Sequence, residues 1–235
     1  MHLTQLSPPA VRNLSDTWVD DGSWNDVLVL ANRFLAAQES EPMAPETQVA
    51  WHHLAVAIGN FKRPGGRIHP GSLPSAAMDD RPKSFVLPLT GEVVHEDDEW
   101  SWVSLGRVRG LGVVTASALL AAVWPTAHVI VDRRAISAAV GLRGAVGDWS
   151  GPFEWRSLAQ WESKPIGTLT WSDYKWFREC VLETLTALQV VDLGFRAWDV
   201  ERALYKLDRL ASRKGQTWEV YSNELHQRAS WAEAR

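Results

Sequence analysis

Residues 105–132 read LGRVRGLGVVTASALLAAVWPTAHVIVD, and this stretch decides the predicted fold. The turn-forming segment Gly110–Gly112 is followed by Val113–Val123, which is apolar and contains neither glycine nor proline. Pro125 then ends the helical pattern, because proline lacks the backbone N–H that a helix interior requires. The stretch therefore predicts two helices joined by a short hairpin, the first closing at Leu105 and the second spanning Val113–Val123.

The hairpin has the chemistry of an anion site. Gly110 and Gly112 can adopt backbone angles closed to other residues and let the chain approach a bound group closely. The N–H groups that open the second helix have no partner inside it, so together with the helix dipole they favour a phosphate. Arg107 and Arg109 add positive charge beside them, and Leu111 is expected to anchor the hairpin in the core.

A nucleotide-binding βαβ unit is the alternative for the same stretch. In it, His128–Val131 forms the second strand and Asp132, twenty residues after Gly112, binds a ribose. The first strand, Val103–Arg109, would have to bury two arginines. Thr115 also stands where close packing of helix on strand favours glycine or alanine. The pattern favours the hairpin and keeps a nucleotide-cofactor (Rossmann-type) enzyme as an alternative.

Positive charge is concentrated around this stretch. The formal net charge of the chain is −4, so nucleic acid cannot be attracted by the protein as a whole. Residues 100–145 nevertheless hold five arginines and one acid. Arg133 and Arg134 follow Asp132 directly, where an arginine can pair with the carboxylate or bind a phosphate.

The rest of the chain predicts a mainly α fold. Helical patterns are present at residues 24–38, 46–61, 172–188, 201–212 and 217–231. Residues 62–83 are rich in glycine and proline and predict a long irregular loop. We expect one helical domain over 1–235, with a division into two lobes, 1–99 with 153–235 and 100–150, as a further option. Most of the fourteen tryptophans are expected to be core anchors or half-buried packing residues.

Several protein classes are excluded or disfavoured by composition. The single cysteine, Cys180, cannot form an internal disulfide or hold a cysteine-ligated zinc or iron–sulfur site. His52-His53 and the HEDDE stretch starting at His95 lack the spacing of a chelate, so no metal site is predicted. We see no secretory signal and no apolar run of eighteen residues, so a cytoplasmic protein without membrane contact is expected.

Gly110-Leu111-Gly112-Val113-Val114-Thr115-Ala116 resembles the GVGxKTA signature of the helix-hairpin-helix (HhH-GPD) base-excision DNA glycosylases. In that family a catalytic aspartate follows the lysine position by eighteen residues; here that position is Val114, and Asp132 stands eighteen residues later, after an apolar stretch. The segment Trp198–Asp208 also resembles the tail of bacterial proteins of unassigned function that share this hairpin and aspartate.

The resemblance implies a multi-helix HhH-GPD-like fold that binds double-stranded DNA. It implies Asp132 as the catalytic residue, with DNA contacts from the hairpin and its arginines: Arg107, Arg109, Gly110, Gly112, Thr115, Arg133 and Arg134. The helix Val114–Val123 is about 14 Å long at ~1.5 Å per residue. The eight residues up to Val131 reach at most about 26–29 Å, so Asp132 can return to the hairpin.

Two departures from the family narrow the expected activity. Val114 replaces the lysine that forms a Schiff base in bifunctional members, so hydrolysis of an N-glycosidic bond without strand cleavage is expected. The four-cysteine iron–sulfur loop is absent, so no cofactor is expected, although a monovalent cation at the hairpin is compatible with the family.

Asp132 also has a purely structural interpretation. It precedes a helical pattern at 133–140, where an aspartate is an ordinary N-cap that stabilises by about 1 kcal/mol. Capping and catalysis are compatible. The sequence therefore leaves two DNA-binding hypotheses open: a monofunctional DNA glycosylase acting on an unknown modified base, and a non-catalytic helix-hairpin-helix protein.

Overall fold

The structure is a computed structural model that describes residues 6–15, 21–61, 81–108, 111–144, 157–163, 165–211, 213 and 215–234. Within these residues the protein is mainly helical, as predicted, with two short strands. The elements are α1 (Pro8–Ser15), α2 (Asp21–Ser40), α3 (Pro45–Phe61), β1 (Ser84–Val86), β2 (Val93–His95), α4 (Glu99–Arg107), α5 (Val113–Val123), α6 (Arg133–Gly144), α7 (Leu158–Ser163), α8 (Trp171–Gln189), α9 (Ala197–Leu210) and α10 (Trp218–Glu233).

Backbone contacts divide the chain into two compact units. The middle unit is Val19–His128, and the terminal unit joins Met1–Trp18 to Val129–Arg235. These boundaries differ from those of the lobes considered from the sequence. Nearly all of the predicted loop at 62–83 lies outside the described residues. None of the helices in the described ranges combines the length and apolar character needed to cross a bilayer.

The middle unit is built around α5. Its residues from Ala116 to Val123 are all buried, because α2, α3 and α4 pack around this apolar helix. Aromatic rings extend the core: the Phe85 centroid lies 5.5 Å from those of Phe34 and Trp124. The Trp124 indole N–H donates to the carbonyl of Pro82 at 2.7 Å, which fixes the chain entering β1 to the end of α5.

Strands β1 and β2 were not predicted from the sequence. They pair antiparallel, with Phe85 opposite Val94. The Gln38 side chain of α2 acts as a further partner for β1, accepting from the Val86 N–H at 2.9 Å and donating to the Val86 carbonyl at 2.8 Å. A buried amide thus satisfies the edge of a very short sheet, as buried backbone groups require.

In the terminal unit, α6 and α9 form the main packing pair, with α10, α1 and α8 around them. Helix α8 begins one residue before the predicted cap, because Thr170 and Asp173 form a capping box there. Of the eleven tryptophans in the described residues, Trp100 and Trp231 are exposed and the other nine are buried or half-buried, in line with the predicted packing role. The buried ones are Trp24, Trp51, Trp102, Trp124, Trp161 and Trp218.

Gly141 marks the closest approach of α6 and α10. A Cβ atom at this position would lie 2.6 Å from Leu225 Cδ1 and 2.9 Å from Tyr221 Cε1. In Gly141→Ala, overpacking should lower the free energy of unfolding by about 1–3 kcal/mol. The higher helix propensity of alanine should offset about 1 kcal/mol of this loss. Gly59→Ala is the control, because a Cβ there meets nothing within 4 Å. Urea denaturation should show lower stability for the first variant and unchanged or higher stability for the second.

Candidate functional site

The two helices that the sequence predicts on either side of the hairpin are present. Helix α4 continues to Arg107, two residues beyond the predicted end, and α5 has the predicted bounds. The Leu111 N–H donates to the Val108 carbonyl at 3.0 Å, and the Leu111 side chain is buried, as expected for an anchor. Arg109, Gly110 and the side chain of Arg107 lie outside the described part of the structure, so the cation expected at the hairpin stays a prediction.

The βαβ alternative is wrong. It needs a strand at Val103–Arg109, but the residues from Glu99 to Arg107 form a helix. It also needs a strand at His128–Val131, and these residues belong to no strand in the described structure. A nucleotide-cofactor enzyme built on this turn is therefore excluded, because helices rather than strands border α5.

Gly112 opens α5 without strain. Its φ of −78° and ψ of 171° are extended and accessible to any residue, so the expected need for glycine's special backbone angles is wrong here. Gly112 offers no side chain to cap the helix, and a Cβ would meet no described residue within 4 Å. Thr115 is half-buried in the first turn. Gly112 itself is exposed at the start of α5.

Asp132 is the N-cap of α6, which confirms the structural part of its prediction. Its Oδ1 accepts a hydrogen bond from the Arg134 N–H at 2.8 Å. The side chain is half-buried, and within the described residues its carboxylate forms no ion pair and Oδ2 accepts no hydrogen bond. The carboxylate is therefore fixed through one oxygen, and its second oxygen has no partner among the described residues.

The two arginines after Asp132 bind elsewhere. Arg133 donates from Nη1 to the Glu162 carbonyl at 2.7 Å, and Arg134 Nη1 lies 3.0 Å from Asp208 Oδ2. The Arg134 guanidinium also lies over the Tyr205 ring, 5.8 Å from its centroid. The salt bridge between Asp132 and a neighbouring arginine, considered from the sequence, does not form. Neither arginine neutralises Asp132, and Arg134 remains 43% exposed.

Asp208 is the main charged residue that sequence reasoning missed. Its side chain is fully buried and contacts three donors: Arg134, Arg213 Nε at 3.0 Å and the Tyr221 hydroxyl at 2.6 Å. Burial raises the pKa of Asp208, whereas Tyr221 and the two arginines lower it. Burial and the adjacent Asp208 charge raise the pKa of Tyr221. This phenol therefore stays protonated and donates to the carboxylate.

Glu201 is a second buried acid on the same helix. Its Oε1 accepts from the Ile130 N–H at 2.9 Å, although Ile130 belongs to no helix or strand. The sequence holds a signal for both acids: Glu201 and Asp208 fall on the face of α9 that also carries Leu204 and Leu207, where charges are unusual. A charged residue on an apolar stripe predicts a buried partner but does not identify it.

The described residues contain no group of three histidine, cysteine or acidic side chains placed to hold a metal. Comparisons of the chain with models of protein families, with curated proteins and with solved structures find no match. The chemistry of the hairpin, of Asp132 and of their surroundings therefore carries the functional assignment.

Proposed function

We propose that this protein is a monofunctional DNA glycosylase that binds double-stranded DNA through the α4–α5 hairpin and uses Asp132 to hydrolyse the N-glycosidic bond of a modified base. The observation that carries the proposal is the state of Asp132. It is held by the Arg134 N–H, is partly open to solvent and has no cationic partner among the described residues. A carboxylate that served only as an ion-pair partner would lie against a cationic side chain, as Asp208 lies against Arg134 and Arg213.

The proposed chemistry needs one ionised carboxylate and one water molecule. The bond between C1′ of the sugar and the base nitrogen breaks, and its electron pair leaves with the base, which takes up a proton. Positive charge develops on the sugar, and Asp132 stabilises it or orients the water that adds to C1′. Reaching this bond requires the nucleotide to be flipped out of the duplex.

Because position 114 carries no amine, the proposed reaction differs from that of bifunctional glycosylases, which cleave the strand through a Schiff base. Val114 is half-buried in the first turn of α5 and cannot form a Schiff base. The product is therefore an abasic site in an intact strand. Strand breaks are expected only after alkali treatment of the product.

The hairpin supplies binding that does not depend on base sequence. Amide groups at the start of a helix and adjacent arginines favour phosphate. Arg109→Ala should weaken duplex binding and reduce the slope of log K against log salt by about 0.9, the loss of one phosphate contact. Fluorescence anisotropy with a labelled duplex, at salt concentrations from about 50 to about 200 mM, gives both the affinity and the slope. An unchanged slope would remove Arg109 from the interface.

The enzymatic proposal is tested with end-labelled duplexes that each carry one deaminated, oxidised or alkylated base. Free base is measured by chromatography, and abasic sites by alkali cleavage. Wild-type protein should release at least one of these bases, and Asp132→Asn should release none. Asp98→Asn is the matched control, since Asp98 caps α4 through the Trp100 N–H at 3.0 Å in the same way.

The outcomes separate the two DNA-binding hypotheses. Release by wild type and by Asp98→Asn, but not by Asp132→Asn, supports the glycosylase. No release from any duplex, with salt-dependent binding retained, would instead identify a non-catalytic helix-hairpin-helix protein. Absence of both release and binding would contradict the assignment to nucleic acid altogether.

A further inference from the structure

Helix α9 holds the chain on both sides of Asp132. On the N-terminal side, the buried Glu201 accepts from the Ile130 N–H at 2.9 Å. The segment from Val129 to Val131 is buried and has no regular secondary structure, so a side chain must satisfy this amide. A hydrogen bond to a charged acceptor is about twice as strong as a neutral one. Glu201 therefore fixes the backbone two residues before Asp132.

On the C-terminal side, Asp208 holds Arg134, two residues after Asp132. The Asp208 carboxylate is itself fixed by Arg213 and Tyr221, so it is a rigid acceptor for the Arg134 guanidinium. The backbone N–H of the same Arg134 donates to Asp132 Oδ1 at 2.8 Å. A single arginine thus connects the buried Asp208 to the Asp132 carboxylate.

The spacing of the two acids matches this arrangement. Glu201 and Asp208 are seven residues apart, close to two helical turns, so they lie on the same face of α9 about 10.5 Å apart along its axis. Their partners, Ile130 and Arg134, are equally distant from Asp132 in the sequence. Both flanks of the carboxylate are therefore attached to one rigid helix, and the Asp132 backbone has little freedom between them.

We propose that Glu201 and Asp208 are positioning residues that fix the Asp132 carboxylate for reaction by holding the backbone before it and the arginine after it. The kinetic part of this inference rests on the proposed glycosylase function. A displacement of about 1 Å in a catalytic group can reduce a rate by about 100-fold. Loss of the Glu201 contact should therefore lower kcat and leave KM nearly unchanged, because neither Glu201 nor Ile130 is a predicted DNA contact.

The Glu201 series tests the first contact. Glu201→Ala removes the acceptor, and Glu201→Asp withdraws it by one methylene group while keeping the charge. Both should lower kcat by about 10- to 100-fold with KM within about twofold. Glu201→Gln keeps an acceptor oxygen and should recover most of the activity. Glu183→Gln, on an exposed acid of α8, is the control that should leave kcat unchanged.

Amide hydrogen exchange tests the same inference without any enzymatic activity. In Glu201→Ala or Glu201→Asp, the Ile130 amide should exchange at least about tenfold faster, and so should the Arg134 amide that reports the Asp132 contact. In Asp208→Asn, the Arg134 amide should respond more strongly than the Ile130 amide. Amides in the middle of α8 should be unchanged in all variants.

Base release and amide hydrogen exchange test the two proposals independently. If wild type releases no base, the glycosylase proposal fails, and exchange alone decides whether α9 positions Asp132. If the Arg134 amide is unaffected when Glu201 is shortened, the positioning role is overturned, whatever the activity. A fall in kcat that Glu201→Gln does not recover, or a parallel rise in KM, would likewise contradict it.

Discussion

Asp132→Asn is expected to slow base release by about 10²- to 10⁴-fold while changing the free energy of unfolding by less than about 0.5 kcal/mol. Asparagine caps helices as well as aspartate does, so its Oδ1 can still accept from the Arg134 N–H. Asparagine has no negative charge, however, and cannot stabilise a cationic sugar or take a proton from water. Groups in such roles contribute about 10²- to 10⁴-fold to a rate, which sets the expected loss.

Asp132→Ala tests the capping role of Asp132 apart from its proposed catalytic role. It removes both the charge and the cap, so it should lower the free energy of unfolding by about 1 kcal/mol and lose as much activity as Asp132→Asn. Single-turnover base release and urea denaturation measure the two effects independently. Retention of base release by Asp132→Asn would leave Asp132 as a helix cap alone.

Asp208→Ala should lower the free energy of unfolding by about 3–5 kcal/mol. The fully buried carboxylate is a shared acceptor for Arg134, Arg213 and Tyr221, and its removal leaves buried donors unsatisfied. Arg213 keeps other contacts, with the Ser137 hydroxyl at 3.1 Å and with Glu162 at 3.6 Å, so the cluster is weakened but not dispersed.

Glu183→Ala is the control for this prediction. Glu183 also pairs with an arginine, Arg143 at 3.0 Å, but its side chain is 45% exposed. Water compensates for the loss of an exposed ion pair, so Glu183→Ala should lower the free energy of unfolding by less than about 1 kcal/mol. Chemical denaturation of the two variants under the same conditions gives the comparison. Equal and small losses would show that Asp208 contributes no more than a surface charge.

Local patterns in the sequence predicted the elements on which the function depends. Gly112 and Pro125 on either side of a mostly apolar run predicted the bounds of α5, and the position of Asp132 before a helical pattern predicted its capping bond. Both depend on interactions between residues close together in the chain, which periodicity and capping rules describe directly.

Long-range partners could not be predicted in this way. Arg134 and Asp208 are 74 residues apart, and Gln38 is 48 residues from the strand that it completes. An arginine next to an aspartate suggests a local ion pair, but burial of Asp208 made the distant acid the better partner for Arg134. Strands of three residues are also too short to show an alternating pattern.

The relaxed backbone at Gly112 has a practical consequence. Among the described residues nothing lies within 4 Å of a methyl group placed there, and the backbone angles suit alanine. An alanine at this position should leave thermal stability nearly intact. If this variant keeps its thermal stability but binds its ligand more weakly, the loss indicates that the ligand comes into close contact with the chain at Gly112.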